Sequence, residues 1–393
     1  MDRVSENELI DLSKIQFKKI FNYEAQLGSI APGRINIIGE HTDYNLGLAM
    51  PQAINRWVCT LISKRDDNNI NIYSSAFKKL IATNLDRISS GKENWEKYIL
   101  GVVKALDDKI NIKNGFDLFI GGNISIGAGI SSSAALEVSI VLSIYKMINK
   151  EIDKIKVLEL CNYVEKKYLG INSGMLDQYA SLFSCRDKIM IVDFSTLNHE
   201  YFKFNIENAS WVLVNSMVYR ELVTSKYNER VEECKKGLDI INKNKENKKQ
   251  INEINEIDLS KLESHELYYK RLLHVISENK RVKMMKDAML SKNVHLIGKL
   301  LNESHASLFQ NYEVSCDEIE SIIRISKEQR GFYGGRIMGG GFGGCTINLV
   351  EKSKVNNFIK NVEKHFFTKY NCKVITECVN FSKGAFVFNN LNK

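Results

Sequence analysis

Proline is nearly missing from this chain. There are two in 393 residues, Pro32 and Pro51, and they bracket a single short stretch. Rigid backbone positions are therefore spent almost entirely on one place. Long apolar runs are also missing. The longest, such as 189–192 and 211–214, suit buried strands and fall far short of a membrane span. The first ten residues, MDRVSENELI, carry both charge signs and no apolar core of a signal peptide, so the expectation is a cytoplasmic protein without a membrane partner. Eight cysteines (59, 161, 185, 234, 316, 345, 372 and 378) show no CxxC spacing, which favours reduced thiols acting as small hydrophobes over disulfides or zinc. No zinc finger, RNA-recognition signature or Arg/aromatic interleaving is present, and nucleic acid is not an expected partner. GxxxxGK[ST], HRD and DFG are absent as well, which excludes a Walker A loop and the protein-kinase set. One GxGxxG spans Gly339 to Gly344, with too little chain after it for a dinucleotide-binding unit.

What is present reads as an ordinary globular chain, 44% hydrophobic and 26% charged, long enough for two cores. Apolar spacing predicts helices over 8–21, 94–106, 132–149, 155–169, 220–243, 267–290 and 294–308. Strands are expected over 57–63, 70–74 and 116–126, then at KIMIVDF and WVLVNS. Helices and strands interleave without βαβ repetition, so the fold class is α+β. The junction is expected near 195–210, giving an N-terminal domain over 1–200 and a C-terminal domain over 201–393. The formal charge of +8 comes largely from Lys/Asn-rich text such as INKNKENKKQ (241–250), best read as solvated surface.

The stretch between the prolines, GRINIIGEHTDYNLGLAMP (33–51), crowds Arg34, Glu40, His41 and Asp43 among three glycines. So many charged groups suit neither a core nor a plain loop, and point to a hydrogen-bonding pocket for a polyhydroxylated ligand. A second segment, GAGISSSAALEVSIVLSIY (127–145), sets glycines and three serines before an apolar helix. Unpaired N–H groups at a helix start bind phosphate, and a serine hydroxyl can ligate magnesium riding on it; the plainer reading is an N-cap. Glu165, on a helical face with Cys161 and Leu169, is either a magnesium ligand or a rim residue pointing to solvent. Asp177, in NSGMLDQYASLFS, is either the N-cap of the next helix or a base facing a substrate hydroxyl.

Taken together, these segments resemble the galactokinases of the GHMP kinase family. GRINIIGEHTDYNLGLAMP is similar to the galactokinase signature, GAGISSSAAL to the phosphate loop, GMLDQ to the segment with the catalytic aspartate, and GGRIMGGGFGGC (334–345) to the third family motif. SKYNERVEEC (225–234) and SHASLFQNYEVSC (304–316) add to the likeness, which covers nearly the whole chain. The resemblance implies an N-terminal domain like ribosomal protein S5 domain 2 and a ferredoxin-like C-terminal domain. It implies ATP-dependent phosphorylation of α-D-galactose at the anomeric hydroxyl, with magnesium; a monomer is the expectation. A modest positive field would help recruit the nucleotide. Carried over by motif, Asp177 is the base or orients the hydroxyl, and Arg34 stabilises transition-state charge. Glu40, His41, Thr42, Asp43, Gly174 and Tyr227 would bind sugar together with Arg34 and Asp177. Gly127, Ala128, Gly129, Ile130, Ser131, Ser132 and Ser133 would wrap the phosphates, Ser74 and Trp95 would lie near the nucleotide, and Ser133 and Glu165 would ligate magnesium. Gly339 to Gly344 would close over the site.

Three departures stand out. Ser125 replaces a usual proline before GAG; Phe309, Gln310 and Asn311 replace an arginine and two acids; and NFSKGA lacks its usual proline. The second puts an ion pair at that location in question. A silent galactose sensor is disfavoured because SSSAAL, Arg34 and Asp177 are intact, while a kinase for a modified sugar turns on room that sequence does not measure.

Overall fold

The computed structural model describes residues 4–389 except 90, 92, 125–128 and 219–222. Gly127, Ala128 and Ser125 therefore lie outside the described residues. Thirteen strands appear among the described residues. The first eight are β1 (Leu27–Asn36), β2 (Leu48–Ala49), β3 (Pro51–Lys64), β4 (Asn69–Ser74), β5 (Lys79–Asn84), β6 (Phe116–Gly122), β7 (Lys188–Asp193) and β8 (Asn198–Lys203). The others are β9 (Ala209–Asn215), β10 (Phe332–Met338), β11 (Cys345–Glu351), β12 (Ile375–Val379) and β13 (Phe386–Asn389). The helices of the first half are α1 (Glu6–Phe21), α2 (Asn94–Ile110), α3 (Ser132–Met147), α4 (Lys154–Tyr168) and α5 (Leu176–Phe183). They are followed by α6 (Val223–Asn242), α7 (Glu256–Leu259), α8 (Glu266–Leu290), α9 (Val294–Gln310), α10 (Asp317–Lys327) and α11 (Val355–Tyr370).

Each helix predicted from apolar spacing is present, with bounds shifted by a few residues. Local chemistry accounts for several ends. Ser5 and Glu8 form a capping box that starts α1, and Asn22 in the left-handed region stops it. Asp153 caps α4 by accepting from the N–H groups of Ile155 and Lys156.

The larger sheet has the order β13-β1-β3-β6-β4-β5, antiparallel except for the parallel pair β4–β6. In the second half the order is β10-β11-β9-β12, all antiparallel. Read from the other edge, that is the fourth, first, third and second strand of a ferredoxin-like βαββαβ unit. A small third sheet, β2-β7-β8, completes the set. Strand β13 returns from the C-terminus to pair with β1, so the last strand of the chain belongs to the first sheet. NFSKGA leads into it: Ser382 N–H donates to the Ala53 carbonyl and its hydroxyl accepts from Trp57 Nε1.

Two cores fill the halves, one around Leu118, Val138, Leu142 and Leu160, the other around Val214, Leu272, Ile322 and Phe358. A third core is shared. It packs Ile35, Ile37 and Met50 from the first half against Leu213, Met285, Leu300 and Ile347 from the second. The charged stretch between the two prolines sits directly on this shared core. No helix among the described residues is long and apolar enough to cross a membrane.

Candidate active site

Strand β1 delivers Arg34 to the site. The ladder with β3 shifts between Pro32 and Arg34, and the Arg34 N–H donates to the Ile130 carbonyl just before α3. Its buried guanidinium donates from Nε to Asp177 Oδ1 at 2.7 Å and from Nη1 to the Gly129 carbonyl at 2.8 Å. The other Asp177 oxygen accepts from the Ser131 hydroxyl. Neither side chain caps a helix, although Ser131 occupies the N-cap position of α3. Ser131 precedes α3 with φ 58° and makes no side-chain cap bond. The N-cap of α5 is Met175, and Asp177 lies within the first turn. The cap reading of Asp177 is thus set aside, and Ser131, at the N-cap position, turns its hydroxyl to Asp177 and not to the helix.

Three cavities converge on this point, and Ser133 lines all of them. One, of about 340 Å³, is walled by Arg34, Gly129, Ser131, Ser132, Asp177 and the glycines 339–341, 343 and 344. Those late glycines form the turn between the antiparallel strands β10 and β11. No helix follows them, which is the structural reason the GxGxxG there is not a dinucleotide fingerprint. Ile130 is buried in the shared core and does not line the cavity.

The second cavity, of about 310 Å³, is lined largely by charged and hydrogen-bonding side chains. Arg34, Glu40, His41, Asp43, Gly174, Asp177 and Tyr227 all line it. Glu40 is held by Arg336, whose Nη1 lies 2.6 Å from Oε2. The His41 ring is buried and bonded through Nδ1 to the Tyr44 hydroxyl, while Nε2 has no partner within the protein. Burial, with the positive charges of His274, Arg230 and Arg336 behind it, holds His41 well below the ordinary imidazole range. It is a neutral ring beside the cavity, with one buried nitrogen left unpartnered. Asp43 is pushed up to about 7, first by burial and then by the charge of Asp177. Gly174 permits its approach, since a Cβ there would lie 1.9 Å from Asp43 Oδ2. Tyr227 packs against His41 and Tyr44 at ring separations of 5.5 and 5.3 Å. Thr42 is placed differently. Its buried hydroxyl lies 2.8 Å from the carbonyls of Gly39 and Leu48, so it braces the turn and does not line the cavity.

Glu165 is buried, so the solvent-facing rim reading does not hold. It accepts from the Ser173 hydroxyl and lines the second cavity with Ser133. Burial raises its carboxyl to about 7, opposed by the Ser173 bond and reinforced by Asp177. A further acid, Glu137, was not singled out from the sequence, where it looks like one more polar position on an apolar helix. It lies one turn beyond Ser133 on α3, fully buried, accepting from Gln178 Nε2 at 3.3 Å with Oε1 unpartnered. Burial, followed by the charge of Glu165, drives its carboxyl well above the usual range.

The third cavity, of about 400 Å³, is mostly apolar and is lined by Ser74, Phe77, Trp95, Tyr98 and Leu136. Trp95 stacks on Phe77 at 4.7 Å and donates from Nε1 to Glu93. Both residues expected near the nucleotide thus line one mostly apolar slot, connected through Ser132 and Ser133 to the glycine-rich cavity.

The sequence also gave no sign of what holds the signature turn. Helix α8 supplies Glu278, which accepts from the Gly39 N–H at 3.0 Å, and His274, whose Nε2 lies 3.0 Å from the Glu40 carbonyl. Asn279 accepts from the Leu48 N–H at 2.8 Å. Beside the replaced positions 309–311, which carry no charge, Arg271 reaches Glu233 and Glu313 at 2.7 Å each.

Three family models match the chain: the galactokinase galactose-binding signature over residues 15–64, the GHMP kinases N terminal domain over 97–185 and the GHMP kinases C terminal over 285–368. A galactokinase of Fusobacterium nucleatum is 37% identical over 94% of this chain and 97% of its own length. The structure of Lactococcus lactis galactokinase complexed with galactose superposes with a TM-score of 0.90 at 31% identity, covering 96% of this chain and 99% of that one. Methanococcus jannaschii mevalonate kinase shares the fold at a TM-score of 0.63 and 20% identity, over 92% and 99% of the two chains. Sequence match, fold and the two joined cavities agree: this chain belongs to the galactokinases of the GHMP kinase family.

Proposed function

We propose that this chain transfers the γ-phosphoryl group of ATP to the anomeric hydroxyl of α-D-galactose, giving galactose 1-phosphate and ADP. One observation carries the reading. The Asp177 carboxylate, bonded to Arg34 and Ser131, stands where the hydroxyl-reading cavity meets the glycine-and-serine cavity. A sugar in the first cavity and a triphosphate in the second would meet at that carboxylate. There Asp177 orients the attacking hydroxyl and accepts its proton, while Arg34 offsets negative charge developing on the transferred group. Glu40, His41, Asp43 and Tyr227 read the other hydroxyls. Gly174 admits Asp43 to the cavity, and Thr42 shapes the turn that presents its neighbours. Ser131, Ser132, Ser133 and the late glycines surround the phosphates, while Ser74 and Trp95 border the base.

Ser133 and Glu165 are the residues to hold magnesium. Their hydroxyl and carboxylate line one cavity, hard oxygen donors of the kind that binds this ion alongside substrate phosphates. Among the described residues no group of three or more His, Cys, Asp or Glu side chains is placed to hold a metal, so phosphate oxygens and water would complete the shell. When bound, the ion neutralises charge on the phosphates. We assign the boundary of the two domains to about residue 200, with β13 as the C-terminal segment's contribution to the first sheet, and we read the chain as a cytoplasmic monomer.

The test is an ATP-consumption assay across galactose, glucose, N-acetylgalactosamine and mevalonate. Consumption with galactose well above the others is expected. Galactose binding with no ATP consumed would point to a sensor instead.

A further inference from the structure

Arg336 has no part in the chemistry described so far, yet it is fully buried beside the site. Its guanidinium is committed almost wholly to the signature turn of the other half of the chain. Nε donates to the Ile37 carbonyl at 3.0 Å, Nη1 reaches Glu40 Oε2 at 2.6 Å, and Nη2 donates to the Asn36 carbonyl. Nη1 also lies 2.7 Å from the Ile337 carbonyl. Asn36 adds a second bond to the same Glu40 oxygen at 3.3 Å, and its N–H approaches the Met338 sulfur at 3.4 Å.

Arg336 sits on β10, and the strand ends two residues later at Met338. The next residues, Gly339 and Gly340, line the sugar-reading cavity and the phosphate cavity alike. One short piece of chain therefore grips a sugar-reading carboxylate at one end and forms the wall of the phosphate cavity at the other. A guanidinium buried with its N–H groups engaged in a fixed fork has little freedom to adjust alone. A shift of the Glu40 carboxylate on accepting a hydroxyl bond would therefore pull on Arg336 and, through it, on the end of β10 that leads into the glycine turn. The turn is tethered at two further points, by Phe342 N–H to the Val314 carbonyl at 2.6 Å and by Ser216 N–H to the Gly344 carbonyl at 2.9 Å.

We propose that Arg336 is a positioning residue that couples the two substrate sites, so that occupation of the sugar cavity through Glu40 orders the Gly339–Gly344 turn for phosphate. The proposal rests on Glu40 being a sugar ligand. Coupling of this kind is reciprocal, the nucleotide tightening galactose by the same factor that galactose tightens nucleotide.

The experiment is titration calorimetry of galactose, with and without a saturating non-hydrolysable ATP analogue and magnesium. The whole chain is used as wild type, Arg336→Lys and Glu40→Gln, each checked for folding by circular dichroism. Wild type should bind galactose at least about 5-fold tighter with the analogue. Arg336→Lys keeps a cation for Glu40 but loses the fork to the Asn36 and Ile37 carbonyls. It should retain galactose binding while that ratio falls toward one, and kcat should drop more than KM for galactose rises. A wild-type ratio near one overturns the coupling without recourse to any variant. So does an Arg336→Lys protein that is folded, weaker for galactose and unchanged in ratio, which would mark a merely structural arginine. Glu40→Gln with unaltered galactose affinity would instead remove the sugar-ligand reading on which the proposal stands.

Discussion

Arg34 Nε donates to Asp177 Oδ1 at 2.7 Å across 143 residues of sequence. With Ser131 on the second oxygen, the carboxylate is fixed at the meeting point of two cavities and still 33% exposed to them. Asp177→Asn keeps the shape but gives up proton acceptance. Turnover is expected to fall by about 10²–10⁴ while galactose affinity, read by calorimetry, changes little. Near-normal turnover would remove Asp177 from the chemistry.

The shared cavity lining of Ser133 and Glu165 leads to a separate expectation. Glu165→Ala should raise the magnesium concentration needed for half-maximal rate by at least about tenfold, the scale of a lost ligand-shell contact. Galactose affinity measured without nucleotide should move far less. A defect confined to galactose would contradict a role in holding the ion.

Gly174 faces Asp43 with no room for a side chain. Adding a methyl 1.9 Å from Asp43 Oδ2 forces one of them to move. For Gly174→Ala we expect a destabilisation of about 1–3 kcal/mol in urea unfolding and a clear rise in KM for galactose. Wild-type values for both would mean that Asp43 does not occupy that approach.

Asp43 also sets a pH dependence. Its carboxyl is raised to about 7 in the ligand-free site, so folding takes up a proton there. Its effect on stability therefore turns unfavourable as pH rises from the ordinary 3.8 through about 7. The ionised form is the one that accepts sugar hydroxyls. Galactose affinity without nucleotide or metal should thus increase with pH up to about 7 and level off above it. An affinity that is flat from acid to neutral pH, or that declines, would count against this role.

Behind the sugar cavity, Glu278 has the opposite sign. It accepts from Gly39 N–H and the Ser304 hydroxyl and pairs with Arg281 at 2.6 Å. Burial works against its charge, but Arg281, His274 and Arg336 outweigh it and lower the carboxyl to about 2. A lowered acid contributes stability above its ordinary 4.5 and loses it as pH falls toward about 2. Glu278→Gln should cost on the order of 3 kcal/mol at neutral pH, as breaking a buried pair does. His274, held down to about 4 chiefly by burial with the Glu278 charge opposing that shift, adds its own loss of stability between 6.5 and 4, and that loss is larger once Glu278 is Gln. The gap from wild type should therefore widen between pH 6.5 and 4, then close as pH falls toward about 2 and Glu278 takes up its proton. A gap that stays open near pH 2 would refute the assignment.

Much of this molecule could be read from local text. Helices such as α3 and α8 follow from apolar spacing, which reports a buried face whatever the partner turns out to be. Arg34, Glu40, His41 and Asp43 were legible because their crowding within ten residues is chemically abnormal, and Asp177 because its segment matched a motif. Glu137 was invisible, since an acid on a solvent face and an acid against Glu165 leave the same letter. The direction of Thr42 was equally hidden, as its hydroxyl reaches two carbonyls of the turn while its neighbours face the cavity.

By itself the sequence determined the element pattern, the α+β class and the chemical types brought to the site. Tertiary structure alone decided that Arg336 and Glu278 clasp the signature turn across separations of 296 and 239 residues. It also decided that Gly174 is needed for the close approach of Asp43, and that the final strand closes the first sheet. The reason is physical: periodicity and capping are set by neighbours a few residues apart, whereas burial of a charge is decided by whichever distant group the fold places against it.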